Sequence, residues 1–205
     1  MKAAIITVPG REAYLSELIS IIEPEVESIK LFIDYNRQGH WWNLSRCMRE
    51  MLDSAAINEP VLIMCDDVIT VKGWSRIWEN IHREVNNDIY TFMSRQRYMF
   101  KPENIKRGYI TKCQLRGFYD HAVIYINQHG LMDRVLDWFE KRGKQIIPEK
   151  RQRHLDVVIQ DYLIDVGHAW TLTTPTLFDH IGQISSLGHD IGGSPCYIGN
   201  RISHD

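Results

Sequence analysis

Two adjacent carboxylates, Asp66 and Asp67, follow an apolar run and carry the strongest chemical signal in the chain. The run, residues 61–65, is typical of a strand buried on both faces of a parallel sheet. Neighbouring carboxylates repel each other unless a positive charge or a shared proton stabilises them. Open α/β sheets bind ligands outside the carboxyl ends of their strands, where this pair is predicted to lie. The pair therefore indicates a divalent cation, which prefers oxygen ligands and bridges phosphate oxygens.

A structural explanation of the same pair stays open. A helix is predicted over residues 73–85, and one aspartate would then cap its N-terminus while the other is solvated. A motif of two residues does not decide between these explanations.

The composition is that of an ordinary soluble globular protein, with 205 residues, 44% hydrophobic and 24% charged. No apolar run approaches the roughly 20 residues that span a bilayer, and the N-terminus does not resemble a signal peptide. The cysteines show no metal-ligand spacing and are interpreted as reduced thiols: Cys47, Cys65, Cys113 and Cys196. We expect a single domain, 1–205, in the cytoplasm and without a membrane anchor.

Apolar periodicity predicts alternating strands and helices up to about residue 94. Such alternation is typical of an α/β fold with a Rossmann-like, mainly parallel central sheet and helices on both faces. The predicted strands are 3–8, 29–33, 61–65 and 88–93, and the predicted helices are 12–22, 43–56 and 73–85. Residues 1–94 are therefore interpreted as a nucleotide-binding half.

Polar residues follow the first two strands. Arg11 lies in the loop after the first strand, near Thr7, and a guanidinium suits phosphate or a base carbonyl. For this loop alone, however, a surface arginine is the favoured interpretation. Asp34 ends the second strand, where it would accept a hydrogen bond from a base or ribose, or else cap a turn. Residues 35–41 are interpreted as a polar loop, and His40, Trp41 and Trp42 as side chains that pack in it rather than stack on a cofactor.

Residues 95–190 are interpreted as a smaller, partly antiparallel acceptor-side half. Residues 95–116 mix aromatic and basic side chains and predict a hairpin or mobile loop for the acceptor, with Arg95, Arg97, Lys106 and Arg107 as candidate contacts. From residue 95 to 153, 14 basic residues face 6 acidic ones, a charge of +8, and the rest of the chain has 10 against 20, or −10. This asymmetry indicates a polyanionic partner, or else a solvated surface with local ion pairs. Residues 191–205 have the composition of a flexible flap.

Three further residues are candidates for chemistry. Asp156 opens a predicted helix, whose N-terminus favours the ionised carboxylate, so it is a candidate proton acceptor or an ordinary first-turn acid. His180 and His189 lie on a glycine-bearing segment after a predicted strand at 169–174. A single histidine is usually structural, but two beside carboxylates are candidate ligands for Mn²⁺ or Zn²⁺.

Several segments together resemble the nucleotide-sugar glycosyltransferases of GT-A fold. They are TVPGR, the strand ending in Asp34, CDDV, LDVVIQDYL and TPTLFDHIGQISSLGH. The last is similar to a segment of the N-acetylglucosaminyltransferases that branch N-glycans. CDDV departs from the usual DxD spelling of the metal motif, so the division of roles between its aspartates is open.

The resemblance implies a role for each matched residue. Asp67 would bind Mn²⁺ or Mg²⁺, with His180 as a further metal ligand and His189 as its substitute. Asp66 would orient ribose or the donor sugar, and Asp156 would be the general base of an inverting transfer. The remaining matched residues would surround the nucleotide: Thr7, Pro9, Arg11 and Asp34.

The expected donor is a nucleotide sugar, most simply a UDP-sugar. The expected acceptor is either a glycan of a surface polysaccharide or a hydroxymethylated pyrimidine of phage DNA, and a bacterial or phage origin, with a phage enzyme acting in the host cytoplasm, would account for the missing anchor. Two other functions stay open: a metal-dependent nucleotidyl or phosphoryl transferase, and a nucleotide-sugar-binding module without catalysis.

Overall fold

A seven-stranded mixed sheet forms the centre of the fold. The computed structural model describes residues 1–94, 101–112, 118 and 121–180, and the seven strands are those within these ranges. The sheet order is β2-β1-β3-β7-β5-β8-β6. Its strands are β1 (Lys2–Thr7), β2 (Ser28–Ile33), β3 (Val61–Cys65), β5 (Ile89–Thr91), β6 (Tyr109–Lys112), β7 (Ala122–Tyr125) and β8 (Trp170–Thr173). A separate antiparallel pair consists of β4 (Val68–Thr70) and β9 (Phe178–His180).

Five of the seven strands run in one direction. β1 is parallel to β2 and β3, β5 is parallel to β8, and β7 lies antiparallel between β3 and β5. β6 is antiparallel to β8 at the edge of the sheet. The predicted α/β class with a mainly parallel sheet is therefore confirmed. Because β7 is reversed, the residues just before it lie beside the carboxyl end of β3.

Helices cover the sheet. They are α1 (Glu12–Ile22), α2 (His40–Asp53), α3 (Trp74–Val85), α4 (Pro102–Arg107), α5 (Leu131–Trp138), α6 (Lys144–Ile146), α7 (Glu149–Gln152) and α8 (Leu155–Asp165). A 3-10 turn, Glu23–Glu25, follows α1, and a π-helical segment, Phe139–Gly143, follows α5. None of the helices in the described part of the chain has the length and apolar character to cross a bilayer.

Two apolar clusters lie on opposite faces of the sheet, and β3 contributes to both. Val61 and Ile63 belong to the cluster with α2, α5 and α8, whereas Leu62 and Met64 belong to the cluster with α1 and α3. All five residues of β3 are buried, as predicted from the apolar run. The two carboxylates thus follow directly on a strand that is buried on both of its faces.

The first turn of α2 differs from the prediction. Residues 40–42 were interpreted as a loop, but the helix begins at His40. It lacks a side-chain cap of its own, and Gly39 precedes it with a φ of 99°. The loop is instead held by Asp34, whose two carboxylate oxygens accept hydrogen bonds from the backbone of Gln38 and Gly39. A helix start held from five residues upstream does not show the usual sequence signature.

Part of the predicted hairpin or loop at 95–116 is regular. Residues 102–107 form α4 and residues 109–112 form β6, which pairs with β8. Pro102 at the start and Gly108, in the left-handed region at the end, are typical helix boundaries. The prediction of a hairpin or mobile loop is therefore wrong for residues 102–112, and residues 95–100 and 113–117 lie outside the described residues.

α3 packs its apolar stripe inward. Trp74, Trp78 and Ile81 are buried, so the interpretation of these tryptophans as core is confirmed. Its N-terminus is capped from a distance, because Glu25 accepts hydrogen bonds from the backbone N–H groups of Gly73 (2.6 Å) and Ser75 (2.9 Å). The alternative that Asp66 or Asp67 caps this helix is therefore wrong.

Replacing Glu25 by Ala should lower the free energy of unfolding by about 1 kcal/mol, the usual effect of losing a helix cap. For a chain of this size that corresponds to a melting temperature lower by about 2–4 °C. Differential scanning calorimetry would measure it. Glu27→Ala is the matched control, since the Glu27 side chain is exposed and makes no hydrogen bond or ion pair with the described residues. Equal melting temperatures for the two variants would contradict the capping role.

Candidate functional site

The candidate site lies where β3 ends. The chain continues alongside β1 for one more residue, since Asp66 N donates to Ile6 O at 3.1 Å. It then turns at Asp66 and Asp67 into β4. The pairing of β4 with β9 places Val68 opposite His180, which brings that histidine beside Asp67. Two distant parts of the sequence therefore meet at the aspartates.

Arg11 is the positive charge that the carboxylate pair requires. Its Nε lies 3.0 Å from Asp66 Oδ2, and a terminal guanidinium nitrogen lies 3.5 Å from Asp67 Oδ2. The guanidinium also stacks over the ring of Tyr14, 5.2 Å from its centroid. The Arg11 side chain is only 17% exposed, so the interpretation of Arg11 as a surface residue is wrong. Thr7 adds a hydrogen bond from its hydroxyl to Asp66 Oδ2 at 2.5 Å.

The pKa values of the two aspartates are shifted in opposite directions. Burial raises the pKa of Asp66 more than the Thr7 hydrogen bond and the Arg11 charge lower it. Burial also raises the pKa of Asp67, but the hydrogen bond and charge of His180, with the charges of His121 and Arg11, outweigh it and hold that pKa well below its usual range. The Asp67 carboxylate is therefore ionised at neutral pH, as a metal ligand must be.

Two histidines flank Asp67. His180 is buried, and its Nε2 lies 3.0 Å from Asp67 Oδ2. His121, which the sequence analysis did not single out, packs edge-on against His180 with ring centroids 5.3 Å apart. It lies directly before β7, and Cys65 N donates to its carbonyl at 3.0 Å. The antiparallel pairing of β3 and β7 brings His121 here, and no local spacing in the sequence reveals it.

The residues present fit a metal ion. Ligand atoms of Cys65, Asp67 and His121 lie within 4.8 Å of one another. Among the described residues, Asp67 Oδ1 is buried and has no hydrogen-bond donor. A buried carboxylate oxygen without a partner is costly, and a cation would satisfy it. The metal set implied by the resemblance, Asp67 with His180, stays a prediction, and His189 lies outside the described residues.

The residues predicted around the nucleotide fall at the same edge of the sheet. Thr7 ends β1, and Pro9 is exposed in the loop that follows. Asp34 is 2% exposed and holds the loop before α2, so its turn-capping role is observed, whereas contact with a nucleotide stays a prediction. Asn43 joins the ends of β1 and β2 by donating to the carbonyls of Thr7 and Phe32.

Asp156 lies in the first turn of α8 and is partly exposed. A four-residue connection joins α8 to β8, and both pack in the same apolar cluster, so the helix runs back along the strand. Its N-terminus is therefore at the edge where β3 and β8 end. The role implied for Asp156 is compatible with this position and stays a prediction.

Two of the four basic candidates, Lys106 and Arg107, lie at this edge of the sheet. Lys106 and Arg107 are exposed at the end of α4, beside the carboxyl end of β8, where Thr174 N donates to Gly108 O. Four strand intervals separate β6 from β3, which is about 19 Å at the usual strand spacing. Arg95 and Arg97 lie outside the described residues. Lys106 and Arg107 are thus too far away to touch a ligand bound at Asp67 itself, and their contact with an acceptor stays a prediction.

Comparison with known proteins supports the fold. No family model and no curated protein matches the chain. Among solved structures, S. aureus TarS (residues 1–349) has a TM-score of 0.52 at 14% identity, covering 87% of this chain and 59% of that one. The galactosyltransferase LgtC, in complex with donor and acceptor sugar analogs, has a TM-score of 0.46 at 11% identity, covering 80% and 70%. A putative glucose-1-phosphate thymidylyltransferase from Bacillus anthracis, in complex with a sucrose, has a TM-score of 0.43 at 10% identity, covering 92% of each chain.

The likeness to TarS shows a shared fold, and this chain spans 59% of that structure. The GT-A fold predicted from the sequence is therefore confirmed.

Removing the bridging charge should destabilise the protein. Arg11→Met leaves two partly buried carboxylates without their cation, and we expect the free energy of unfolding in metal-free buffer to fall by about 2 kcal/mol, less than for a fully buried pair. Arg11→Lys keeps the positive charge but loses the planar guanidinium, so its free energy of unfolding should lie between those of the wild type and Arg11→Met. Urea unfolding with a chelator present would measure both. Wild-type stability for Arg11→Met would show that the aspartates do not depend on it.

Proposed function

We propose that the protein is a metal-dependent glycosyltransferase that moves a sugar from a nucleotide diphosphate sugar to an acceptor hydroxyl. The observation that supports it is the ionised Asp67, with Asp66, Arg11 and His180, at the end of the third strand of a GT-A fold. Ligands of α/β sheets bind at such an edge. A divalent cation held at Asp67 would neutralise the charge that develops on the diphosphate leaving group.

The chain's own residues have distinct tasks in this proposal. Asp67 stays ionised and holds the cation, while His180 keeps its carboxylate oriented. Asp66 is fixed by Thr7 and Arg11 and presents its carboxyl group to the ribose or the donor sugar. Arg11, which can donate several hydrogen bonds, is placed to contact a donor phosphate when one enters.

The proposed reaction is an inverting single displacement with Asp156 as general base. The acceptor hydroxyl loses its proton as it attacks the anomeric carbon, and a positioned carboxylate accelerates such a step by a factor of about 10² to 10⁴. The N-terminus of α8 favours the ionised form that a base requires. A product that keeps the donor's anomeric configuration would overturn this assignment.

The acceptor is proposed to be a glycan of a surface polysaccharide or a hydroxymethylated pyrimidine in DNA. The exposed Lys106 and Arg107 favour a negatively charged acceptor. Much of the other positive charge is already paired, since Lys141, Arg142 and Lys144 all form ion pairs with neighbouring carboxylates. Acceptor affinity that falls steeply between 50 and 200 mM salt, by about 10³-fold or more, would indicate DNA.

The function can be tested with purified protein, nucleotide sugars and divalent cations. Thermal shift against a panel of donors identifies the nucleotide sugar, because a ligand bound only by the folded state raises the melting temperature. Slow release of UDP from the identified donor, dependent on the cation and lost in Asp67→Asn, is the expected result. Release of pyrophosphate from a nucleoside triphosphate would indicate a nucleotidyltransferase instead. Donor binding without any turnover, in the presence of candidate acceptors, would indicate a binding module.

Asp156→Asn should lower the transfer rate by at least about 100-fold while the donor affinity stays within about twofold, because the base acts only on the acceptor hydroxyl. Transfer is measured as labelled sugar in the acceptor, and affinity by calorimetry. Asp161→Asn, on the same helix, is the matched control and should transfer at the wild-type rate. An unchanged rate for Asp156→Asn would remove this residue from the mechanism.

A further inference from the structure

We propose that Cys65 and His121 join Asp67 as metal ligands, so that the site selects a transition-metal ion such as Co²⁺, Zn²⁺ or Mn²⁺ over Mg²⁺. The inference rests on the proposed function only in placing the ion at Asp67. It changes the expected chemistry of the ion, because a thiolate and an imidazole are ligands that Mg²⁺ avoids and transition metals accept.

Cys65 and His121 are brought together by the sheet itself. Met64 is paired with Ala122 in the antiparallel β3–β7 ladder, so the next residues, Cys65 and His121, face each other. The hydrogen bond from Cys65 N to His121 O extends this ladder by one step. Side chains directly opposite in an antiparallel pair have Cβ atoms about 4.5–5.5 Å apart, which suits ligands of one ion.

Asp67, two residues after Cys65, is the third candidate ligand. The three ligand atoms lie within 4.8 Å of one another. An ion about 2.0–2.3 Å from each ligand requires ligand separations of at most about 4.6 Å, so small side-chain rotations close the site. Asp67 Oδ1 is the buried oxygen without a donor, whereas Oδ2 lies beside His180 and Arg11. The carboxylate therefore has one oxygen held by the protein and one available to an ion.

The charges also balance. Arg11 and Asp66 form a close pair and offset each other. Asp67 and a Cys65 thiolate then neutralise a dication, and His121 binds as a neutral imidazole. Cys65 is only 7% exposed, so few waters would remain around such an ion. Binding transfers the thiol proton to the buffer, since only the thiolate is a ligand.

Titration of metal-free protein with Co²⁺ tests the proposal without any turnover. We expect one equivalent of Co²⁺ to produce the near-ultraviolet charge-transfer band of a cobalt thiolate, and Zn²⁺ to displace it. Mg²⁺ in large excess should not. Cys65→Ser should abolish the band and weaken Co²⁺ binding by at least about tenfold, the size of effect seen when even an indirect partner of a ligand is lost. His121→Asn should weaken binding similarly while keeping a thiolate band.

Cys47→Ala is the matched control, because Cys47 is a buried thiol on the apolar face of α2 and is not one of the three candidate ligands. It should leave the band unchanged. The melting temperatures of metal-free Cys65→Ser and wild type should be compared first, so that loss of the band is not loss of the fold.

Absence of the band in wild-type protein, or its persistence in Cys65→Ser, would overturn the proposal. The proposed function is judged separately. Turnover of a nucleotide sugar that needs Asp67 but is supported equally by Mg²⁺ and unaffected by Cys65→Ser would preserve the function and reject the thiolate site. A thiolate band without turnover of any nucleotide sugar would preserve the thiolate site and reject the proposed function.

Discussion

The repulsion between Asp66 and Asp67 is the constraint on which the site depends. The buried strand before them fixes both carboxylates at its end, where neither can swing freely into water. Three groups contact the carboxylates and offset the repulsion: the guanidinium of Arg11, the hydroxyl of Thr7 at the end of β1, and the imidazole of His180 in β9. The first two groups lie four residues apart near the start of the chain, and the third lies in β9, far along the sequence. The stability of the site is therefore tied to the correct assembly of the whole sheet edge.

The reversed direction of β7 also determines which side chains meet at the site. In a purely parallel sheet the position beside the end of β3 would be the end of another strand. Because β7 runs the other way, a residue at its start occupies that position, and it is a histidine. The antiparallel strand thus adds a side chain to the carboxyl edge without lengthening any loop. This strand comes from the second predicted half and lies between β3 and β5 of the first, so both halves contribute to one sheet.

Local patterns were enough to predict β3, α1 and the inward face of α3. An unbroken apolar run and a helical spacing of apolar residues each depend on a few neighbouring positions, and the structure places these elements within one residue of the prediction at their ends. Asp66 and Asp67 could be found for the same reason, since two carboxylates after a buried strand are a local signal.

The partners of those aspartates could not be predicted in the same way. Arg11 is one arginine in a short loop, and nothing around it distinguishes a buried bridge from a surface charge. His121 is isolated in the sequence, and its place beside Cys65 depends on the register of a non-local antiparallel pair. β4 and β9 are three-residue strands whose pairing is set by tertiary contacts. Sequence periodicity carries information about faces of elements, whereas these contacts depend on which elements become neighbours.

Arg11 and a metal ion have overlapping electrostatic roles, and this determines what the site can do when a donor binds. Without a donor, the guanidinium lies within reach of both aspartates and offsets part of their charge. A dication beside Asp67 would repel the Arg11 guanidinium, which keeps Asp66 as its partner, and added negative charge would ease this repulsion. A diphosphate supplies that charge. Under the proposed function, ion and donor should therefore stabilise each other's binding, because the phosphates give Arg11 a new partner and the ion relieves Asp67 of its dependence on Arg11.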